Sequence, residues 1–170
     1  SYDYPQLTAM AAKAEPWRTL VNPDDPVFLH PADMPQAISS YAQRTGQPAP
    51  ESIGDYIRCI LESLALKYCW VIERLQELTG FSYNCIHMVG GGTRNEFLTQ
   101  LTADLTGRKV LAGPVEATAI GNLLLQAVAL GKITDLSHLR RVVRESFTIR
   151  SYQPREQTKE MAEAQKKFAG

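Results

Sequence analysis

The sequence predicts an α/β protein that is rich in helix and contains a short, incomplete parallel sheet. Apolar residues recur at every third or fourth position over several long stretches, which is typical of amphipathic helices. In the middle of the chain a short apolar run at residues 86–89 is followed by three glycines, a helical segment and a second short run at residues 109–112. This order indicates a strand, a helix and a second strand in one sheet.

Composition limits the kinds of partner to expect. The chain has 170 residues, of which 44% are hydrophobic, enough for one sizeable core. Its 18 basic residues balance 18 acidic ones, which argues against general affinity for nucleic acid or a membrane surface. No apolar run approaches the roughly 20 residues of a membrane span. The three cysteines form no C-x-x-C pair and are typical of buried thiols in a cytoplasmic protein. We therefore expect a small-molecule partner.

Three helices are expected before the glycines. Tyr4-Pro5 begins a short helix that Pro16 ends, and Asp33 caps a second helix that runs to about residue 45. The third helix runs from Ser52, capped with Asp55, to residue 79 and is closed by Gly80. Its predicted buried stripe consists of Ile53, Ile57, Ile60, Leu64, Tyr68, Ile72, Leu75 and Leu78.

After the glycines, a helix ending at Gly107 leads to the strand at residues 109–112, which should lie parallel to the first strand. Gly113-Pro114 then turns the chain into a helix over residues 116–130. A short helix at 135–144 and a strand-like segment at 147–152 follow. We divide the chain into one partial domain, residues 1–154, and a charged helical tail, residues 155–170, whose Lys and Glu side chains are expected to face solvent.

The stretch from Gly90 to Gly92 is the candidate binding site. Glycines let the backbone approach a ligand closely, and the helix that follows offers unpaired N–H groups and a partial positive charge. Thr93 and Glu96 have the spacing of a capping box, which places Asn95 in the first helical turn. A structural turn is the alternative interpretation, but three successive glycines exceed what such a turn needs.

Residues 88–131 resemble the adenosine-binding part of the FGGY carbohydrate kinases. The resemblance rests on a shared order of residues, namely Gly90-Gly91-Gly92, Asn95, Gln100, Ala103-Asp104, Gly107 and Glu116-Ala117-Thr118-Ala119-Ile120-Gly121. Segments at 22–26, 46–48 and 62–68 extend the similarity to nearly the whole chain. The resemblance implies part of the C-terminal, nucleotide-binding domain of an actin-like ATPase fold, also called ribonuclease H-like.

The resemblance also implies ATP and magnesium as cofactors and a sugar as substrate. By position, Gly91 would lie against the adenine and Asn95 would contact the nucleotide. Gly90, Gly92 and Gly121 would shape the pocket, and Glu116 would begin the helix that forms its other wall. The family's catalytic aspartate and phosphate-binding loops come earlier in sequence than Ser1, so no catalytic or metal-binding residue is assigned here.

Two expectations follow for a chain of this kind. It should be inactive alone, and it should associate either with the missing part of the same protein or with itself, because its sheet is incomplete. Two alternatives stay open. One is a Rossmann-type dinucleotide or S-adenosylmethionine site, although Asn95 stands where the third glycine of Gly-x-Gly-x-x-Gly would fall. The other is a non-catalytic, sugar-responsive regulator with the same fold.

Overall fold

The computed structural model describes residues 2–169. Within that range the chain forms seven α-helices and three β-strands in the predicted order. The helices are α1 (Tyr4–Lys13), α2 (Met34–Arg44), α3 (Ile53–Thr79), α4 (Glu96–Thr106), α5 (Ala117–Ala129), α6 (Leu136–Ser146) and α7 (Lys159–Ala169). The strands are β1 (Cys85–Met88), β2 (Lys109–Ala112) and β3 (Arg150–Tyr152), and short 3-10 helices cover Pro26–Phe28 and Gly91–Arg94.

The sheet has the order β1-β2-β3. β1 and β2 are parallel, as predicted, with Cys85 opposite Lys109 and Met88 opposite Ala112. β3 is antiparallel to β2 and places Arg150 opposite Ala112. The predicted parallel pair is thus present, and β3, from the segment predicted only to be strand-like, makes the sheet mixed rather than parallel throughout. The reason is that the chain, after α5 and α6, enters the sheet beside the carboxyl end of β2 and then runs back along that strand.

The long helix α3 begins and ends where the sequence predicts. The Ser52 hydroxyl accepts a hydrogen bond from the Asp55 N–H at 3.2 Å, and the Asp55 carboxylate accepts one from the Ser52 N–H at 2.9 Å. Gly80 ends the helix with a φ of 70°, a left-handed conformation that glycine adopts without steric cost. At 1.5 Å per residue, α3 is about 40 Å long, so it can support several other elements.

The buried side of α3 differs from the predicted stripe. Ile53, Tyr68, Leu75 and Leu78 are all exposed, and Leu78 has an exposed fraction of 83%. The residues that are buried are mostly small or polar: Gly54, Cys59, Leu61, Glu62, Ser63, Ala65, Leu66 and Cys69. A Cβ at Gly54 would lie 2.8 Å from the Met10 carbonyl oxygen. Small side chains therefore let α1 pack closely on this face, which a count of large apolar residues does not detect.

The main core lies between α1, α3, α4 and α7. It is formed by Ala11, Leu20, Leu61, Ala65, Leu66, Cys69, Leu98, Leu101, Leu105, Met161 and Ala164. A smaller cluster of Val21, Ile38 and Cys59 packs α2 and the irregular segment before it against α3. Because α4 contributes three leucines to the main core, the glycine turn at its amino end is joined to a firmly packed helix.

The chain after β3 is attached to α4 through Asp104. This carboxylate is 5% exposed and accepts hydrogen bonds from the Arg155 N–H at 2.9 Å, its Nε at 3.0 Å and its Nη2 at 2.6 Å. Gln100 donates to Asp104 at 2.7 Å and to the Gln153 carbonyl at 2.9 Å. The following α7 is helical, as predicted, but buries Met161, so only part of its surface faces solvent. The division at residue 154 stays a prediction.

Candidate functional site

The turn between β1 and α4 is built on Gly90. Its φ of 83° and ψ of −170° lie in a region that is essentially restricted to glycine. The next four residues, Gly91–Arg94, form one turn of 3-10 helix, and α4 begins only at Glu96. The predicted sequence of strand, glycine turn and helix is present, with an additional 3-10 turn between the first glycine and the α-helix.

The cap of α4 is Asn95, so the predicted capping box of Thr93 and Glu96 is wrong. The Asn95 Oδ1 accepts a hydrogen bond from the Leu98 N–H at 2.9 Å. The Thr93 hydroxyl instead donates to the Gly90 carbonyl at 2.7 Å and closes the 3-10 turn. The box fails because the 3-10 turn uses residues 91–94, which moves the helix start two positions along the chain.

The glycine turn forms one wall of the candidate site, and the loop between β2 and α5 lies beside it and forms the second wall. The Gly113 N–H donates to the Met88 carbonyl at 2.9 Å, and the Gly90 N–H donates to the Pro114 carbonyl at 3.2 Å. These two hydrogen bonds join the glycine turn to the loop that leads into α5. Glu116 occupies the N-cap position of α5, is exposed, and makes no side-chain cap there. The structure thus brings the predicted residues Gly90 and Glu116 to neighbouring loops at the carboxyl ends of β1 and β2.

Packing within residues 2–169 does not require glycine at three of the predicted positions. A Cβ built at Gly91, Gly92 or Gly121 meets no atom within 4 Å, and none of the three has a positive φ. Gly113 differs, because a Cβ there would lie 2.9 Å from the Thr148 carbonyl oxygen. The surface of residues 91 and 92 is therefore bare backbone open to an approaching group.

Asn95 lies beside the glycine turn, but as the cap of α4 and not in the first turn of that helix as predicted, and its side chain is engaged within the protein. It is 2% exposed, its Oδ1 caps α4, and its Nδ2 donates to the Tyr4 hydroxyl at 2.9 Å. In this structure its amide therefore supports the turn from inside. Direct contact of Asn95 with a nucleotide stays a prediction, as do the roles of the other residues assigned to the site.

Two residues that hold the turn were not identified from the sequence. One is Tyr4; the other is Arg150 of β3, whose guanidinium forms an ion pair with Glu96 and donates to the Thr93 carbonyl at 3.3 Å. Neither residue belongs to a local pattern around the glycines. The antiparallel pairing of β3 with β2, which the sequence did not predict, is what brings Arg150 to this position.

A cavity of about 630 Å³ adjoins the two walls. Its lining includes Val89, Gly113 and Pro114 from the loops and His87 from β1, together with Arg140 and Arg144 from α6. The lining is thus positively charged on the side of α6. Among residues 2–169, no three His, Cys, Asp or Glu side chains are grouped so that they could hold a metal ion. Within the same range, no helix has the length and apolar character needed to cross a membrane.

The buried carboxylates of the described chain, Glu62 and Asp104, are each engaged by an arginine. Arg58 Nε lies 2.6 Å from Glu62, and Arg155 Nη2 lies 2.6 Å from Asp104. Burial raises the pKa of Glu62, although Arg58 opposes the shift. Both carboxylates therefore serve the packing of the chain, and neither faces the glycine turn as a free proton acceptor.

The geometry of the turn also separates this site from a dinucleotide-binding loop. In a Gly-x-Gly-x-x-Gly loop the glycines open directly into the helix, and the third glycine packs helix against strand. Here the 3-10 turn comes between Gly90 and α4, and Asn95 is the helix cap. These differences disfavour the Rossmann-type alternative.

Comparison with known proteins gives consistent matches. Rhamnulokinase from Bacteroides thetaiotaomicron is 47% identical over 153 residues, which cover 90% of this chain and 32% of that protein. Rhamnulokinase from Bacillus subtilis is 41% identical over 155 residues, or 91% of this chain and 32% of that protein. The chain thus spans about a third of the length of these curated relatives.

Solved structures show the same fold. Glycerol kinase from Plasmodium falciparum with ADP matches with a TM-score of 0.68 at 17% identity, covering 98% of this chain and 32% of that chain. Xylulose kinase from Rhodospirillum rubrum matches with a TM-score of 0.58 at 21% identity and the same coverages. The actin-like ATPase fold expected from the sequence is confirmed, and it is rich in helix with a small mixed sheet.

The family model that matches the sequence is that of the C-terminal domain of the FGGY family of carbohydrate kinases, and the match covers residues 1–130. These residues include α1 to α4, both parallel strands and α5, and therefore both walls of the candidate site. The chain belongs to the FGGY family of carbohydrate kinases and corresponds to the C-terminal domain of that family.

Proposed function

We propose that this chain is the nucleotide-binding third of an ATP-dependent kinase that phosphorylates L-rhamnulose at its 1-hydroxyl group, a step of L-rhamnose catabolism. The identity to rhamnulokinases supports the substrate, since relatives at 47% and 41% identity carry that name. The family match supports sugar phosphorylation as the reaction class. The cytoplasm is the proposed location, consistent with three free cysteines.

The observation that carries the nucleotide role is the bare backbone of Gly91 and Gly92. Neither residue needs to be glycine for its conformation or for packing within residues 2–169. On this proposal the adenine lies against residues 90–92, and Gly121 leaves room on the facing helix. Glu116, which is exposed at the N-cap of α5, begins that second wall.

This chain contributes binding and orientation, whereas the proton transfer is assigned elsewhere. Phosphoryl transfer requires the nucleophile, the phosphates and the metal ion to be held in line. When bound, magnesium would neutralise charge on the ATP phosphates. This chain spans about a third of the length of its curated relatives, and we place magnesium and the catalytic aspartate in the rest of the complete kinase.

Exposed apolar residues support association with that preceding part. Helix α5 is apolar on most sides, with Leu123 and Leu125 exposed by 66% and 63%, and Leu130 directly after the helix is exposed by 76%. A helix that is apolar all round is normally buried. Self-association of the isolated chain is the outcome we expect when the preceding part is absent, and a monodisperse monomer in analytical ultracentrifugation would contradict it.

The nucleotide role is tested by filling the bare surface. A Cβ at residue 91 or 92 meets no atom of the described chain within 4 Å, so in the complete kinase Gly91→Val and Gly92→Val should preserve folding but lower the affinity for ATP. Ser40→Val, which puts the same side chain on the exposed surface of α2, is the matched control and should bind ATP normally. Unchanged ATP affinity in both glycine variants would remove the main support for the site.

The substrate is tested separately with a coupled ADP-release assay on the complete kinase. L-rhamnulose should be turned over much faster than xylulose or glycerol, and the 170-residue chain alone should show no turnover. Sugar binding without ATP affinity would favour the regulator alternative. Comparable rates with all three substrates would leave the family in place but overturn the assignment of rhamnulose.

A further inference from the structure

Asn95 is the residue through which the glycine turn is attached to α4. Its N–H donates to the Gly92 carbonyl at 3.0 Å, and its carbonyl accepts from the Thr99 N–H at 3.0 Å and the Thr99 hydroxyl at 2.8 Å. Its side-chain oxygen caps Leu98. Three of its four polar groups therefore bond to residues of the turn or of α4 itself. Only the side-chain Nδ2 reaches a different element.

That different element is α1, and the contact atom is the Tyr4 hydroxyl at 2.9 Å. The two residues are 91 positions apart in sequence. A buried amide without an acceptor is unfavourable, so the hydrogen bond to the tyrosine oxygen favours one orientation of this amide. The orientation matters because rotating the amide also removes the cap on Leu98.

Tyr4 is itself held in place independently of the turn. Asp3 caps α1 by accepting from the Gln6 N–H at 2.8 Å, while the Gln6 side chain accepts from the Asp3 N–H at 3.0 Å. At its other end, α1 is attached to α3, because the Arg58 guanidinium donates to the carbonyl oxygens of Ala11 and Ala14 at 3.1 and 2.9 Å. The hydroxyl of Tyr4 is therefore presented by a helix anchored to the long helix of the core.

We propose that Tyr4 is a positioning residue for the nucleotide site. Its hydroxyl holds the Asn95 amide, the amide holds the cap of α4, and the cap sets the orientation of the Gly90–Arg94 turn. Tyr4 acts through Asn95 and does not need to contact the nucleotide. This inference rests on the proposed nucleotide role of the turn and adds α1 to the elements that determine nucleotide affinity.

The test removes one oxygen atom. In the complete kinase, Tyr4→Phe should raise the KM for ATP by about 3- to 10-fold, which corresponds to the loss of one hydrogen bond, while the KM for the sugar stays unchanged. Tyr2→Phe removes the same atom from a tyrosine of similar exposure, 53% against 55% for Tyr4, and should leave both values unchanged. An unchanged KM for ATP in Tyr4→Phe would overturn the inference.

A double variant separates positioning from general destabilisation of α1. Asn95→Ser keeps an oxygen that can cap α4 but lacks the amide that reaches Tyr4. If Tyr4 acts through that amide, adding Tyr4→Phe to Asn95→Ser should change the KM for ATP no further. Independent, multiplying effects of the two substitutions would show that Tyr4 acts by another route and would overturn the inference.

Hydrogen exchange distinguishes failure of this inference from failure of the proposed function. Tyr4→Phe should speed exchange of the Leu98 amide, which Asn95 caps, by about 3- to 10-fold, whether or not nucleotide is present. Absence of ATP binding in the wild type would refute the nucleotide role of the turn. Unchanged exchange at Leu98 would refute the positioning role of Tyr4 alone.

Discussion

Arg58 and Glu62 form a buried ion pair one turn apart on α3, with Nε 2.6 Å from Oε1 and Glu62 only 1% exposed. The other Glu62 oxygen accepts from the Trp17 N–H at 2.8 Å. Trp17 has a φ of 59°, which is uncommon for a residue with a side chain. Since Arg58 also donates to carbonyls at the end of α1, this pair fixes both α1 and the turn that follows it.

Replacing Arg58 by methionine should therefore be strongly destabilising. Arg58→Met leaves the Glu62 carboxylate buried without its cation, and breaking a buried pair in this way lowers the free energy of unfolding by about 3–5 kcal/mol. Urea denaturation followed by circular dichroism measures the effect. Arg74→Met removes the cation of the exposed pair with Glu77 and should lower the same quantity by less than about 1 kcal/mol. Equal effects of the two substitutions would contradict the structural role of the buried pair.

The buried thiols predict a loss of stability at alkaline pH. Burial raises the pKa of Cys59 to about 12 and that of Cys69 to about 11, from an ordinary value of 9.0. Above about pH 9, the unfolded chain loses these protons while the folded chain retains them. The free energy of unfolding should therefore fall as pH rises from 9.0 toward the two raised values.

Other groups also titrate in that range, so the measurement needs a comparison. The variant with both Cys59→Ala and Cys69→Ala should show a smaller fall in the free energy of unfolding. The comparison runs from about pH 8.5, near the ordinary cysteine pKa, to about pH 10.5. Denaturant titrations at several pH values give the slope for each protein. An identical slope in the variant and the wild type would show that the thiols ionise normally in the folded chain.

Asp104 should control the attachment of α7. Asp104→Ala removes the carboxylate that accepts three hydrogen bonds from Arg155. One comes from the Arg155 backbone N–H and two come from its guanidinium. We expect the free energy of unfolding to fall by about 1.5–3 kcal/mol. We also expect faster hydrogen exchange over α7. Asp33→Ala, which removes the cap of α2, should leave exchange over α7 unchanged, and faster exchange there would argue against a specific link through Asp104.

Alanine substitution should affect stability differently at Gly90 and at Gly92. Gly90→Ala places a side chain on a backbone with φ of 83° and ψ of −170°, at a cost of about 1–3 kcal/mol of stability. Gly92→Ala meets no atom within 4 Å and has no positive φ, so it should be neutral or stabilising by up to about 1 kcal/mol. Thermal unfolding of the two variants provides the comparison, and equal destabilisation would mean that Gly92 also has a conformational role.

Most elements of the fold follow from local sequence signals. The Asp55 N–H donates to the Ser52 side chain, and the Gln36 N–H donates to the Asp33 side chain. Each of these caps spans only three residues, so the starts of α3 and α2 can be recognised in the sequence. The start of α4 is not, because Thr93 and Asn95 both have side chains that can cap a helix. Only the 3-10 turn, which depends on the Thr93 hydroxyl bonding to Gly90, decides between them.

The features that the sequence predicted wrongly or did not predict depend on contacts between distant residues. The buried face of α3 is determined by the close approach of α1 at Gly54, and the direction of β3 by its pairing with β2. At the site, the contiguous glycines are recognisable as a group. Tyr4 and Arg150 reach the turn across 91 and 57 residues, and no pattern in a single sequence relates positions so far apart.

The hydrogen bonds from Gly113 to Met88 and from Gly90 to Pro114 continue the pairing of β1 and β2 past the ends of both strands. Both loops at the carboxyl edge are consequently locked to each other before anything binds. A ligand that lies across them meets a preorganised surface, and few backbone torsions are left to freeze on binding.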